Sequence, residues 1–150
     1  MKNHAELARE GFIKGYNCAQ AVACAFCGEL DMDEAAVARM VSSFGGGLGK
    51  MREVCGAVSG AAFVLGALKG YSDPGATTEK SAHYARVQEF AARFKAEHET
   101  IICRELLKNL SQEKVNSPEP QPRTPEYYHT RPCVRFVETA ARIVEDMLAE

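Results

Sequence analysis

The sequence predicts an all-α fold, a single domain in which about six or seven helices bundle round a central helix rich in Gly and Ala. Three observations predict it. Apolar residues recur at spacings of three and four along most of the chain, cap-type residues and glycines punctuate those stripes, and no stretch sustains the period-two alternation that a strand requires. A length of 150 residues suits one core burying roughly two thirds of the unfolded surface. No internal repeat at solenoid periods is present.

Taken in order, Ala5, Ala8 and Phe12 predict a short amphipathic helix ending near Gly15. Asn17 is placed to cap a second helix from Cys18 to Phe26, which puts Cys18, Ala21, Val22 and Ala25 on one face. Asp31 and Glu34 have capping-box spacing, and Val37, Met40, Val41 and Phe44 form the stripe of a third helix stopping at Gly45-Gly46-Gly47. Cys55 to Leu68 is the Gly/Ala-rich segment, with Gly56 and Gly60 one turn apart so that a neighbouring helix can approach closely. It is too short and too interrupted for a membrane span of about 20 residues.

Asp73-Pro74-Gly75 reads as a turn before a long helix that directs Tyr84, Val87, Ala91 and Phe94 inward and fades near His98. Thr100 is placed to cap a new start, with Cys103, Leu106, Leu107 and Leu110 on one stripe. Ser117 to Pro125 holds four of the six prolines, which suits an extended surface connection. The last helix follows Thr130 and Pro132 and carries Cys133, Phe136, Val137, Ala140, Val144, Met147 and Leu148.

A hydrophobic fraction of 46% with 25% charged residues excludes a disordered chain. The net charge of -2 exerts no long-range pull on phosphate backbones or acidic lipids, so neither nucleic acid nor a membrane is expected as a partner. Residues 1–12 mix Lys2, His4, Glu6, Arg9 and Glu10 with the apolar ones, unlike a secretory signal, which makes a cytoplasmic location the expectation. Six cysteines in a reducing compartment point to redox chemistry or metal binding rather than permanent staples.

Cys18, Cys55, Cys103 and Cys133 each fall in the predicted first turn of a helix and each begin that helix's apolar stripe. Unpaired N–H groups and the macrodipole favour an anion there, so such a thiol is expected to ionise more readily than one in mid-helix. Any one of them alone would be explained as a small buried hydrophobe; the fourfold repetition of one placement favours a functional cluster. Cys24 and Cys27 point away from the Cys18 stripe and read as core, their C-x-x-C spacing leaving a minor redox role open. No His follows Cys27, which excludes a covalent c-type haem at that pair.

Other signals are weaker. Gly45-Gly46-Gly47-Leu48-Gly49-Lys50 lacks the first glycine and the final Ser or Thr of a phosphate-binding loop; either it brings backbone N–H groups to the sulfurs or it is a plain turn. His129 and His98 stand four and five residues ahead of Cys133 and Cys103, spacings of no distinction, and His4 and His83 fall on polar helix faces. Lys50, Arg52 and Arg104 lie near Cys55 and Cys103 and would lower thiol pKa values, although surface solubility explains them as well. Glu53 and Glu105 have no apolar pocket to make them general acids or bases.

Cys55-Gly56-Ala57-Val58-Ser59-Gly60-Ala61 resembles the centre of a redox-active protein family named for its cysteine pattern, the C_GCAxxG_C_C family. Tyr16-Asn17-Cys18-Ala19-Gln20-Ala21-Val22 is similar to its first cysteine segment, Phe44-Gly45-Gly46-Gly47 to its glycine loop, and Cys103-Arg104-Glu105-Leu106-Leu107 to its third cysteine segment, with Cys133 in the place of the fourth. A departure is Glu97-His98-Glu99-Thr100, where the family tends to have a small residue and glycine. The resemblance implies a helical fold and a redox role for Cys18, Cys55, Cys103 and Cys133, with Gly45, Gly46, Gly47 and Gly56 beside the site. A related domain in a haem cytochrome with an iron–sulfur centre makes a cluster at these positions an alternative.

Three functions follow as expectations. The first is a thiol-based oxidoreductase without cofactor, in which one first-turn cysteine attacks, a second resolves, and electron pairs pass to a redox partner protein or a small electron carrier. Cys55 is favoured as a core member. The second is an iron–sulfur or other metal centre held by the same four sulfurs. The third is an interaction module whose cysteines only pack, with the glycine-patterned helix free to form a homodimer.

Overall fold

The computed structural model describes residues 3–108 and 117–150, and within these the chain forms nine α-helices, a short 3-10 turn and no strand. Asn3 accepts from the Glu6 N–H and starts α1 (His4–Lys14), which Gly15 ends at a φ of 125°. Asn17 and Gln20 exchange side-chain and main-chain hydrogen bonds in a full capping box, and α2 (Cys18–Cys24) begins there. The chain then passes through α3 (Cys27–Leu30), α4 (Glu34–Met40) and a 3-10 turn at Ser42–Phe44. Central α5 (Gly56–Lys69) is followed by α6 (Thr77–His98), α7 (Cys103–Leu106), α8 (Pro125–Thr130) and α9 (Cys133–Ala149).

The fold class holds, and α5 lies at the centre as its composition predicts. Ala57, Ala61, Val64 and Leu65 are fully buried on it. Gly60 faces α2 so closely that an added Cβ would stand 2.7 Å from the Ala19 carbonyl oxygen, and one on Gly56 would stand 3.2 Å from the Cys18 Cβ. The glycine face is therefore spent inside the chain on α2. Helix α2 pays no polar cost for this position, because Ala19, Ala21, Val22 and Ala23 are all buried and it packs against α1, α4, α5 and α9. Amphipathic α9 lies across α1, α2 and α5, burying Phe136, Val137, Ala140, Ala141 and Val144.

Five local expectations are corrected. The second helix stops at Cys24 because Phe26 leaves helical geometry, with φ -109° and ψ 15°, and α3 follows. Asp33, not Asp31, caps α4 by accepting from the Ala36 N–H; Asp31 instead takes the left-handed conformation that ends α3. Met40 is exposed while Val37 and Val41 are buried, so the α4 stripe is narrower than predicted. On α6 the inward line is His83, Phe90 and Phe94, and Tyr84 is 53% exposed. Burying the Phe90 ring removes far more apolar area from water than Ala91 offers, and that rotates the register. His83 is thus no polar-face residue: Arg86 donates to its Nδ1 at 3.0 Å, and burial lowers its pKa.

The short helices α3 and α8 are additions to the predicted set. Thr100 does not cap α7, whose N-cap is Ile102, but its hydroxyl accepts from the Ile102 N–H and donates to Glu105. Leu110 of the predicted stripe lies outside the described residues, as do Met1 and Lys2. Among the described residues no helix is long and apolar enough to cross a membrane.

Candidate functional site

Val54 and Ile102 form an isolated antiparallel bridge. Around it the Cys55 N–H donates to the Ile101 carbonyl at 2.8 Å and the Cys103 N–H to the Glu53 carbonyl at 2.6 Å. The residue after each bridge position is a cysteine, so one pair of short contacts holds the starts of α5 and α7 side by side. Gly56 lets Cys18 at the start of α2 close on the same point, and α9 delivers Cys133 as its first residue. All four cysteines line one cavity of about 460 Å³, together with Gly45, Gly46, Gly47 and Gly56. Residue exposures of 3% for Cys55, 8% for Cys103 and 7% for Cys133 leave the cavity as the route to their sulfurs. All six cysteines are free thiols.

The loop between the 3-10 turn and the bridge carries strain. Gly46, Gly47, Leu48, Gly49, Lys50 and Arg52 all have positive φ, and for the three non-glycine residues this costs on the order of 1 kcal/mol each. Main-chain bonds from Lys50 to Gly45, Arg52 to Gly46 and Glu53 to Gly47 hold it. What the strain secures is proximity. Gly47 sits so near that an added Cβ would stand 2.7 Å from the Cys103 Cβ, and Arg52 donates to the Cys103 sulfur at 3.8 Å.

The four thiols are electrostatically unequal. Cys133 is pulled down to about 7, first because the Cys18 thiol hydrogen-bonds to it and then because Arg131, Arg52 and Arg123 face it, against the opposing effect of burial. Cys18, the donor in that bond, is pushed well up by the same interaction, by burial and by the neighbouring sulfurs. Burial pushes Cys55 up to about 12 although the Ala57 and Val58 N–H groups oppose it. Cys103 is raised by burial despite Arg52. Readier ionisation at every helix start is thereby corrected: burial and the neighbouring sulfurs outweigh a helix end for Cys18, Cys55 and Cys103, and Cys133 is the one of the four drawn toward ionisation.

Since the folded state favours the neutral Cys55 thiol, its contribution to stability is present below about pH 9 and is lost as the pH climbs toward 12. The loss reaches about 4 kcal/mol for this buried group. Chemical denaturation of reduced protein between pH 8 and 11 is expected to show that decline and Cys55→Ser to flatten it, judged on slope against pH; equal slopes would refute the assignment.

Residues 16–147 match the family described as "Putative redox-active protein (C_GCAxxG_C_C)". The chain belongs to this family. No curated protein and no solved structure matches it.

The C_GCAxxG_C_C pattern thus marks four cysteines that this fold brings to one cavity. Cys24 and Cys27 are elsewhere, at the junction of α2 and α3, half-buried and hydrogen-bonded to each other, with Cys24 pushed to about 12 chiefly by burial. His129 is exposed, and His98 bonds Thr139 at 2.9 Å between Phe94 and Phe136. Arg104 pairs with Glu53 at 2.8 Å and Glu105 accepts from Thr100, while Arg52 donates to the Cys103 sulfur and Arg131 also bears on it. The N–H groups of Ala57 and Val58, in the first turn of α5, reach the Cys55 sulfur. Among the described residues no three His, Cys, Asp or Glu side chains converge closely enough to hold one metal ion.

Sequence reasoning missed Arg123, Arg131 and Tyr127, which line the cavity. Arg123 stacks 4.3 Å from the Phe12 ring centre and donates to the Phe12 and Tyr16 carbonyls, tying the α8 region to α1. Arg131 bonds the Gln121 side chain and packs over Tyr127. The available signal was a pair of arginines flanking two tyrosines within ten residues of Cys133.

Proposed function

We propose that the chain performs two-electron thiol–disulfide exchange, with Cys133 as the attacking thiolate and Cys18 as the resolving thiol. The observation that carries this is that Cys133 alone of the six cysteines has its thiol drawn down toward neutral pH, while hydrogen-bonded by a second cysteine inside a cavity. The Cys133 thiolate attacks one sulfur of a substrate disulfide, forming a mixed disulfide and expelling the other half as a thiolate that takes a proton from water. Cys133 then carries no negative charge, so the interaction that raised Cys18 disappears and Cys18 gives up its proton more readily. Its thiolate attacks the Cys133 sulfur, closing a Cys18–Cys133 disulfide and releasing the second half. Two electrons pass from the cysteine pair to the substrate, whose disulfide ends as two thiols.

In this scheme Cys55 and Cys103 flank the pair; Arg52 holds Cys103 beside Cys133. A reducing compartment such as the cytoplasm fits the reaction, since it keeps the pair as thiols between turnovers. Cys18→Ser tests the assignment. It is expected to trap the mixed disulfide on Cys133, seen by mass spectrometry as a stoichiometric adduct, where the natural sequence goes on to the internal bond. An adduct on another cysteine would displace Cys133, and visible absorption with stoichiometric iron in protein purified without oxygen would replace the scheme with a cluster. If Ala at all four positions altered neither reactivity nor bound metal, packing would be their whole role.

A further inference from the structure

We infer that Arg123 is a positioning residue for the second step of the exchange, holding the segment that leads into Cys18 against the segment that leads into Cys133. The inference rests on the thiol-exchange reading and adds a residue that touches neither reacting sulfur. One guanidinium reaches both segments. Its Nη1 donates to the Phe12 carbonyl at 3.0 Å and to the Tyr128 hydroxyl at 3.3 Å, and its Nη2 donates to the Tyr16 carbonyl at 2.9 Å. Phe12 lies in the last turn of α1, where a cation suits the negative end of the helix. Tyr16 stands two residues ahead of Cys18, with Asn17 between them as the cap of α2. The bond to Tyr16 therefore fixes the chain immediately before α2.

The same guanidinium is built into the approach to Cys133. It stands 5.0 Å from the Tyr127 ring centre, and that ring carries Arg131 at 5.1 Å. The Tyr127 carbonyl also accepts from the Arg131 N–H at 2.9 Å, and two residues further on Cys133 opens α9. Tyr128 adds a second tie by donating to the Ile13 carbonyl at 3.3 Å. The packing of α2 on α9 brings the two cysteines to one cavity; Arg123 fixes the last few residues before each. Attack on a substrate needs only the Cys133 thiolate and an incoming disulfide. Closure needs more, because the Cys18 sulfur must line up behind the bond from Cys133 to the substrate half. As the Cys18 thiolate bonds the Cys133 sulfur, that bond breaks, and the departing thiolate takes up the proton that Cys18 gave to water. A misplacement of about 1 Å at such a step costs on the order of a hundredfold. Lysine in place of Arg123 keeps the charge, but a single ammonium on a flexible stem cannot span two carbonyls as a planar fork does.

Arg123→Lys is the test, since it separates geometry from charge. Reduced full-length protein is mixed with neutral hydroxyethyl disulfide at pH 7, and mass spectrometry follows the mixed disulfide on Cys133 and the internal Cys18–Cys133 bond as two separate steps. In the variant, attack is expected to stay within about threefold of the natural sequence while closure slows about tenfold or more, so that the mixed disulfide accumulates. Arg123→Gln keeps one donor and loses the charge; it is expected to slow attack as well, with closure slowed the more, and it carries the test if the lysine variant does not fold. Phe90→Leu, a truncation of the buried core away from the cavity lining, lowers stability alone and is expected to leave both rates in place. Closure at the natural rate in Arg123→Lys, or attack and closure slowed in equal measure, would overturn the positioning role and leave exchange intact. Absence of any Cys18–Cys133 bond in the natural sequence would overturn exchange itself.

Discussion

Cys133→Ser is expected to remove the fast-reacting thiol of this protein, a thiol that reacts at pH 7 about two orders of magnitude faster than Cys55. At a pKa of about 7 roughly half of Cys133 is thiolate. At about 12, the Cys55 thiolate fraction is on the order of 10⁻⁵. The more basic sulfur is the better nucleophile once ionised, and a Brønsted slope near 0.5 over that interval returns about 300-fold, so the net disadvantage is roughly a hundredfold. Rapid-mixing kinetics with an iodoacetamide probe, followed by peptide mapping, reads the result directly. Serine is close in size, so the fold is retained and an unchanged unfolding temperature confirms it. Cys24→Ser, distant from the cavity, is expected to keep the fast phase. Persistence of that phase in Cys133→Ser would remove the basis of the proposed mechanism.

The second large effect belongs to Gly60→Ala. Alanine ordinarily improves a helix interior by about 1 kcal/mol. Here its Cβ would stand 2.7 Å from the Ala19 carbonyl oxygen and 3.1 Å from the Ala19 Cα, both main-chain atoms that no rotamer change can withdraw. Overpacking of this kind costs up to about 3 kcal/mol, leaving a net destabilisation near 2 kcal/mol. For a chain of this length that is roughly 4–8 °C in unfolding temperature. Because α2 must move to relieve the clash and Cys18 precedes Ala19, the hydrogen bond that does most to lower Cys133 is weakened too. The midpoint of Cys133 alkylation against pH is therefore expected to rise in the same variant. Gly28→Ala, with open space around it, is the control for an ordinary substitution. Wild-type stability and an unmoved midpoint in Gly60→Ala would show that the α2–α5 contact is looser than described.

Both predictions draw on features of differing legibility. The start of α2 was readable because Asn17 and Gln20 satisfy the first N–H groups within four residues, so nothing distant is needed to place Cys18 there. The close approach of α2 to α5 was readable in outline from Gly56 and Gly60, since only a missing side chain permits it. The inward face of α6 was not, because Tyr84 and His83 differ by one residue and only the packing of Phe90 and Phe94 decides between them. Asp31 and Asp33 both had cap chemistry, and the left-handed turn closing α3 chose the second. Arg123 was invisible for a different reason: its partners Phe12 and Tyr16 lie more than a hundred residues away in sequence, as the separations of 111 and 107 record.

By itself the sequence determined that this chain is helical, that a Gly/Ala-rich helix forms its centre, and that four cysteines stand at the starts of separate helices. Those properties depend on periodicity and capping, which are settled over a few residues. Only the tertiary structure decided that the four sulfurs share one cavity and that Cys133, not Cys55, is the thiol drawn toward ionisation. Ionisation depends on desolvation and on charges brought from distant segments, and here the Cys18 thiol and the guanidinium groups of Arg52, Arg123 and Arg131 converge on Cys133 only after the helices have packed.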